Sequence, residues 1–207
     1  MKRITALVLF FCLSFSMTSA QEKKDQQTPQ KPPQAATDDM MKKMMELASP
    51  SDAHKKLEDL VGVWETETKM WMAGEGSGQA TTTKGIAENV WILGGRFLRS
   101  DFKGEMMGMQ MAGFGLTGYD NYAKMYVGMW VDNLSTTLAT MEGTFDRSGK
   151  VLTMYGKMNE WMTGELGKTV KYVTSVVSKD KHVFEIHDLS IGEPNTKVIE
   201  VTYTRKK

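Results

Sequence analysis

Methionine sulfur is the reactive group this sequence supplies most freely. Many of its 18 Met residues fall into three clusters: Met40-Met41-x-x-Met44-Met45, Met70-x-Met72 and Met106-Met107-x-Met109-x-Met111. A thioether is a soft ligand suited to Cu(I). Alternate residues of a strand share a face, so the last spacing would aim the sulfurs of Met107, Met109 and Met111 to one side. Methionine also fills irregular core space and lines cavities for flexible apolar ligands, and exposed methionine absorbs oxidant. Three readings stand: cavity lining, a Cu(I) or Ag(I) site at Met107, Met109 and Met111, and sacrificial oxidation.

Other chemistry is sparse. The imidazoles are His54, His182 and His187. A separation of five residues puts the last two on opposite faces of a strand, so they cannot share a metal there, and no zinc spacing appears. Nucleophilic catalysis would need a Ser or Thr gathered with a base and an acid, and no Gly-x-Ser-x-Gly elbow is present. Gly74-x-Gly76-x-Gly78 lacks the strand-to-helix setting of a phosphate cradle and reads as a hairpin turn. Asp120 and Asp132 fall at a turn and a strand end, where a carboxylate caps backbone N–H groups. No catalytic residue and no cofactor is expected. Arg96 stands out because Gly94-Gly95 precede it and Trp91 and Phe97 frame it. Facing a cavity with Tyr119 and Trp130, it would anchor a small amphipathic acid; its alternative is a barrel-end salt bridge with Asp132 or Asp120. The candidate ligand-binding set is therefore Trp91, Arg96, Met107, Met109, Met111, Tyr119 and Trp130.

These residues must be placed by a chain of 207 residues, 41% hydrophobic and 25% charged, with 26 Lys+Arg against 25 Asp+Glu. That composition is ordinary for a globular domain. Met1-Lys2-Arg3, an apolar run to Met17 and Thr18-Ser19-Ala20 read as a signal peptide cleaved near Ala20, which places the mature protein in the periplasm or outside the cell. The run is too short to span a bilayer, so no membrane span is expected in the mature form. Cleavage leaves 24 basic against 25 acidic residues and removes the single Cys12. A near-neutral chain gives no electrostatic case for nucleic acid, and one without cysteine has neither disulfides nor thiolate chemistry. Oligomeric state is not read from the sequence.

Residues 21–36 hold Gln, Lys and Pro without a large apolar side chain and read as a disordered polar leader. Thr37 reads as the N-cap of a helix to Ala48, stopped at Ser49-Pro50, and a second short helix runs from Ser51 or Asp52 to Leu60. From residue 61 onward β-branched and aromatic residues alternate with polar ones, and turn signals recur. Strands are expected near 62–72, 79–92, 95–103, 106–118, 124–132, 136–145, 150–158, 168–178, 181–190 and 196–205. About ten antiparallel strands behind one or two short helices are most economically closed as an up-and-down β-barrel, which abolishes exposed edges; a sandwich is the alternative. Trp64, Thr66, Thr68, Met70 and Met72 are expected on the inner face of the first strand, and Val63, Glu65, Glu67, Lys69 and Trp71 on the other.

His54-x-x-Leu57-x-x-Leu60-x-Gly62-x-Trp64 resembles the opening of calycin barrels, the superfamily of lipocalins and fatty-acid-binding proteins. That resemblance implies a calycin-like barrel in which Trp64 packs against Arg205 near the chain's end. Leu93-Gly94-Gly95-Arg96-Phe97-Leu98, Gly113-Phe114-Gly115-x-x-Gly118-Tyr119-Asp120-Asn121, Tyr126-x-x-x-Trp130-x-Asp132 and Gly143-Thr144-Phe145-Asp146 are similar to a commonly exported bacterial family of unknown function, DUF1579, over roughly residues 54–205. The resemblance brings a fold and no reaction. The function expected is that of an exported, noncatalytic carrier of a small apolar or amphipathic molecule, with Cu(I)/Ag(I) binding or an enzyme on the same scaffold as alternatives.

Overall fold

The computed structural model describes residues 34–160, 163–192 and 196–207. The expected signal peptide and most of the leader lie outside the described residues. The chain divides into a unit ending at Asp39 and a unit from Met40 onward. Of the first, residues 34–39 are described, the opening of helix α1 (Gln34–Ala48), where the Gln34 amide donates to Asp38 at 3.0 Å. The helix begins three residues before the expected Thr37 cap, since Gln and Ala extend a helix readily. It ends as expected, where the Ser49 hydroxyl donates to the Met45 carbonyl at 2.7 Å and Pro50 forbids continuation. Its Met40, Met41, Met44 and Met45 side chains are exposed. The second expected helix shrinks to α2 (Asp52–Lys55) and a 3-10 turn over Glu58–Leu60. Among the described residues no helix is long and apolar enough to cross a membrane.

Ten antiparallel strands follow: β1 (Gly62–Met70), β2 (Thr81–Ile92), β3 (Phe97–Met106), β4 (Met109–Asp120), β5 (Met125–Asp132), β6 (Ala139–Phe145), β7 (Val151–Met158), β8 (Lys168–Ser178), β9 (Lys181–Asp188) and β10 (Lys197–Arg205). Each pairs with its neighbour in sequence, and β1 pairs with β10 to close the barrel. Closure satisfies every edge, and the strict alternation of side chains then fixes an inner wall. Trp64, Thr66 and Thr68 are buried while Glu65 and Glu67 are exposed, so the expected face of β1 is the inner one. Met72 lies past the strand and is exposed, whereas Trp71 is buried.

One end of the barrel is stoppered by the segment before it. Leu57 and Leu60 are buried with Leu98, Tyr126, Leu152, Met154, Val170 and Tyr172 in the main apolar cluster. The Tyr126 hydroxyl donates to the Ala53 carbonyl at 2.7 Å, Asn121 Nδ2 to the Leu47 and Ser49 carbonyls at 2.9 and 2.7 Å, and Trp91 Nε1 to Glu58 at 2.7 Å. The bonds from Tyr126 and Asn121 satisfy carbonyls that a short helical segment leaves open.

The expected Met107-Met109-Met111 face needs correction. Strand β3 ends at Met106, β4 begins at Met109, and Met107-Gly108 is the two-residue turn between them, with φ of +53° and +77°. Positive φ at both positions is the twist-matched hairpin turn. Met107 therefore projects from the tip, and Met106, paired directly with Met109, takes its place on the inner wall with Met111. A non-glycine residue in this conformation costs on the order of 1 kcal/mol, which Asn tolerates best. Met107→Asn is expected to raise the stability by about 0.5–1 kcal/mol in urea unfolding.

Candidate functional site

The inner wall can be read around the barrel from the register. On β1 to β4 it carries Thr66, Thr68, Thr81, Thr83, Gly85, Ser100, Gly113, Gly115 and Thr117, which are hydroxylic or lack a side chain. On β5 to β9 it carries Trp130, Met141, Met154, Val170, Tyr172, Phe184 and Ile186. At mid-barrel the first wall is thus mostly small or hydroxylic, interrupted by Phe102, and the second mostly large and apolar, interrupted by Gly128, Gly143 and Gly156.

Several rings lie along the wall instead of across the axis. A Cβ on Gly113 or Gly115 would come within 2.6 or 3.1 Å of the Trp130 indole, and one on Gly85 or Gly104 within 2.9 or 2.8 Å of the Phe102 ring. Glycine at these positions makes room for the rings to lie flat. Trp130 is held there by its Nε1–H, which donates to Asp132 at 2.8 Å. Asp132 also accepts from the Leu134 and Ser135 amides, and Asp120 from those of Tyr122 and Ala123, so both carboxylates serve turns. Inward-facing Ser100, Phe102, Trp130, Met141, Phe184 and Ile186 remain only partly buried. Glycines and small side chains on part of the wall take up little of the interior, and closure at ten strands gives a wider interior than closure at eight.

The other expected site residues are dispersed. Trp91 and Tyr119 face inward at the stoppered end, where Tyr119 packs edge-on to Tyr126 with centroids 4.9 Å apart. Met109 and Met111 sit at the opposite rim, Met109 half-exposed. Arg96 makes no ion pair with Asp120 or Asp132 among the described residues. It lies in the β2–β3 turn, with Nε donating to the Ala48 carbonyl at 2.8 Å and Nη1 to the Leu93 carbonyl at 3.0 Å. There it borders a cleft of about 160 Å³ at the stoppered end with Leu47, His54, Tyr119, Asp120 and Asn121, which brings together Arg96 and Tyr119 of the expected set. Arg96 is thereby removed from the lumenal set, because its place in a turn releases it from the strand's alternation.

The Trp64–Arg205 pair expected from the resemblance closes one end, and the buried Lys168, not singled out from the sequence, lies at the other. At the stoppered end Trp64 is fully buried; its Nε1 donates to the Leu60 carbonyl at 2.9 Å, and the Arg205 guanidinium lies 4.1 Å from its ring. His182 meets Trp64 edge-on at 4.4 Å and stacks on Tyr203 at 4.2 Å. Among the described residues, His182 Nδ1, Thr66 Oγ1 and Asn89 Oδ1 are buried polar atoms without a protein partner. His187 points to the outer face, bonded to Thr196 and Glu185. At the other end Lys168 is buried between Asp188 and Glu160, at 2.6 and 2.8 Å. Lys197 contacts Glu200, Glu185 and Glu75 beside the Trp71 ring. Among the described residues no group of three His, Cys, Asp or Glu could hold a metal ion.

Burial, aided by the charge of Arg205, pushes the His182 imidazolium down to a pKa of about 3, and burial pushes the Tyr203 phenol up to about 12. His182 is thus neutral in the folded state, while the unfolded chain binds a proton below its ordinary value of 6.5. Its contribution is fully present above that pH and is lost as pH falls toward the folded value. The His182 ring resonances are expected to stay constant from pH 8 to pH 4. Wild-type stability should fall over the acid half of that range more steeply than that of His182→Phe, as paired melts will show.

The profile of a family described as "Protein of unknown function (DUF1579)" matches residues 49–205. No curated protein matches the chain. Among solved structures, the fold is similar to that of Rv2717c from M. tuberculosis, with 12% identity and a TM-score of 0.53 over 77% of this chain and 100% of that one. A redesigned beta barrel aligns at 11% identity and a TM-score of 0.39 over 73% of this chain and 96% of its own.

Proposed function

Since the chain belongs to the DUF1579 family of unknown function, whose name supplies no reaction, we propose from the barrel itself that the protein is an exported, noncatalytic carrier holding a small amphipathic molecule in a calycin-like lumen. The observation that carries this reading is the uneven inner wall, with Thr, Ser and Gly predominating around Phe102 on β1 to β4 and Trp130, Met141, Phe184 and Ile186 on the other strands. A ligand with an apolar body and hydrogen-bonding groups along one edge matches it, because apolar surface gains from burial while each buried polar group needs a partner. The charged groups nearest the interior are occupied: Arg205 by backbone carbonyls and Lys168 by two carboxylates. The ligand's polar groups are therefore neutral, which replaces the anionic molecule that a lumenal Arg96 would have anchored. The Gly62-x-Trp64 opening facing Arg205 supports the calycin relationship, and the apolar run behind Lys2-Arg3 supports export.

Protein purified from its own host should release a bound small molecule in denaturing solvent, detected as a mass difference between native and denatured spectra. The cleared protein should take up an environment-sensitive apolar dye, and Ser100→Phe with Thr117→Phe, which fill the lumen from the small-residue wall, should abolish that uptake. An empty native protein that also excludes the dye overturns the reading.

A further inference from the structure

We infer that the inner side of the β3–β4 hairpin tip is a binding site for a soft monovalent cation, Cu(I) or Ag(I), made by the thioethers of Met106, Met109 and Met111. The site lies at the rim of the inner wall, beyond the Thr, Ser and Gly stretch proposed to face a carried molecule, and does not depend on that reading.

The argument begins with the turn. Because Met107 and Gly108 both have positive φ, they form a two-residue connection that fixes Met106 and Met109 as the flanking pair, and the register places them opposite each other. Directly opposed residues have Cβ atoms about 4.5–5.5 Å apart, and residues two apart on a strand about 7 Å. Met111 shares the face of Met109 and stands opposite Gly104, whose missing side chain leaves the place that the Phe102 ring takes beside it. Three flexible thioethers at these spacings can converge on one ion. Met106, Met109 and Met111 are thus collected by a single hairpin, with no long-range assembly required.

Packing does not explain the same residues. Met109 is 50% exposed at the rim, where a residue chosen only for apolar filling gains little. The exposure instead gives an ion direct access without opening the barrel. Thioether sulfur discriminates for soft ions, and no cluster of His, Cys, Asp or Glu among the described residues competes for harder ones. Three neutral sulfur donors keep the charge of a monovalent ion and ask for no proton release, so binding should be independent of pH across the neutral range.

The test uses the full chain under anaerobic conditions, with Cu(I) presented against a chromophoric chelator and Ag(I) titrated calorimetrically. The variant M106L/M109L/M111L is expected to weaken the tightest site at least tenfold for both ions, while volume conservation keeps its melting temperature close to wild type. M107L should bind as wild type, because its side chain projects from the tip. M40L/M41L/M44L/M45L should leave the tightest site unchanged, separating the hairpin from the exposed methionines of α1. Copper X-ray absorption on the one-to-one complex should show three sulfur neighbours and lose that signature in the hairpin variant. The assignment is overturned if the hairpin variant binds as wild type, if M107L weakens binding as much as the triple change, or if the α1 variant loses the tightest site.

Discussion

Trp64→Ala should cost about 3–5 kcal/mol and lower the melting temperature by about 10 °C. The indole is fully buried and is a junction for both chain ends. Its N–H donates to the Leu60 carbonyl, which also accepts from Asn89 Nδ2 at 2.8 Å, so the entry to β1 is pinned from two strands. Over its face lies Arg205, which donates to the Val61 carbonyl at 2.8 Å and to the Lys179 carbonyl from Nε and Nη2 at 2.9 and 2.7 Å. Removing the ring therefore opens a cavity, strips the guanidinium of its apolar floor and bares the buried face of His182. Trp64→Phe keeps most of the volume and should recover well over half of the loss. Arg205→Lys keeps the charge but not the fork that reaches separate carbonyls, and about 1–3 kcal/mol should go with it. Urea melts of the three variants rank these terms; equal stability of Trp64→Ala and wild type would mean that the barrel closes without this junction.

The barrel itself was legible because its signal is local and repeated. Alternation along each segment and turn residues between them place all ten strands within a few residues of their bounds, and Trp64, Thr66 and Thr68 on the inside follow from period alone. The departures are equally physical. Met107 breaks the alternation because a turn resets it, and a Met-Gly turn lacks the Asn or Asp that usually announces one; Gly108 was the available signal. Arg96 was misplaced for the same reason, and its partner, the Ala48 carbonyl, lies 48 residues away where no local pattern reports it. Gln34, Ala35 and Ala36 were read with the polar leader although each favours a helix. His182 and Lys168 were overlooked as inner-wall residues because they are polar, yet their phase was visible. His182 is in step with Phe184 and Ile186, and Lys168 with Val170 and Tyr172.

That phase makes Lys168 the second position where one substitution should matter most. Its ammonium is nearly inaccessible, with 5% of its side chain exposed, and sits 2.6 Å from Asp188 and 2.8 Å from Glu160. Burial alone would lower the Lys168 pKa, but the hydrogen bonds it donates to Asp188 and Glu160 outweigh that and hold the value above normal. Burial alone would raise Asp188, and the bonds from Lys168 and Ser190 outweigh that too, holding it below normal. The Asp188 contribution is therefore present above the ordinary carboxylate range and lost as pH falls through its folded value. The Lys168 contribution is present below the ordinary lysine range and lost as pH rises through its own. At neutral pH both are in force, and Lys168→Met should cost about 3–5 kcal/mol, because it strands carboxylates in a site built for a cation. The deficit should narrow in acid, where those carboxylates take up protons. Lys168→Met combined with Asp188→Leu should recover part of the loss, since it removes the more buried of the two stranded carboxylates and leaves only Glu160 facing the lost cation. A double variant no more stable than Lys168→Met would show instead that Asp188 is needed for its bonds to the Ser190 amide and hydroxyl, at 3.0 and 2.7 Å, which close the turn after β9.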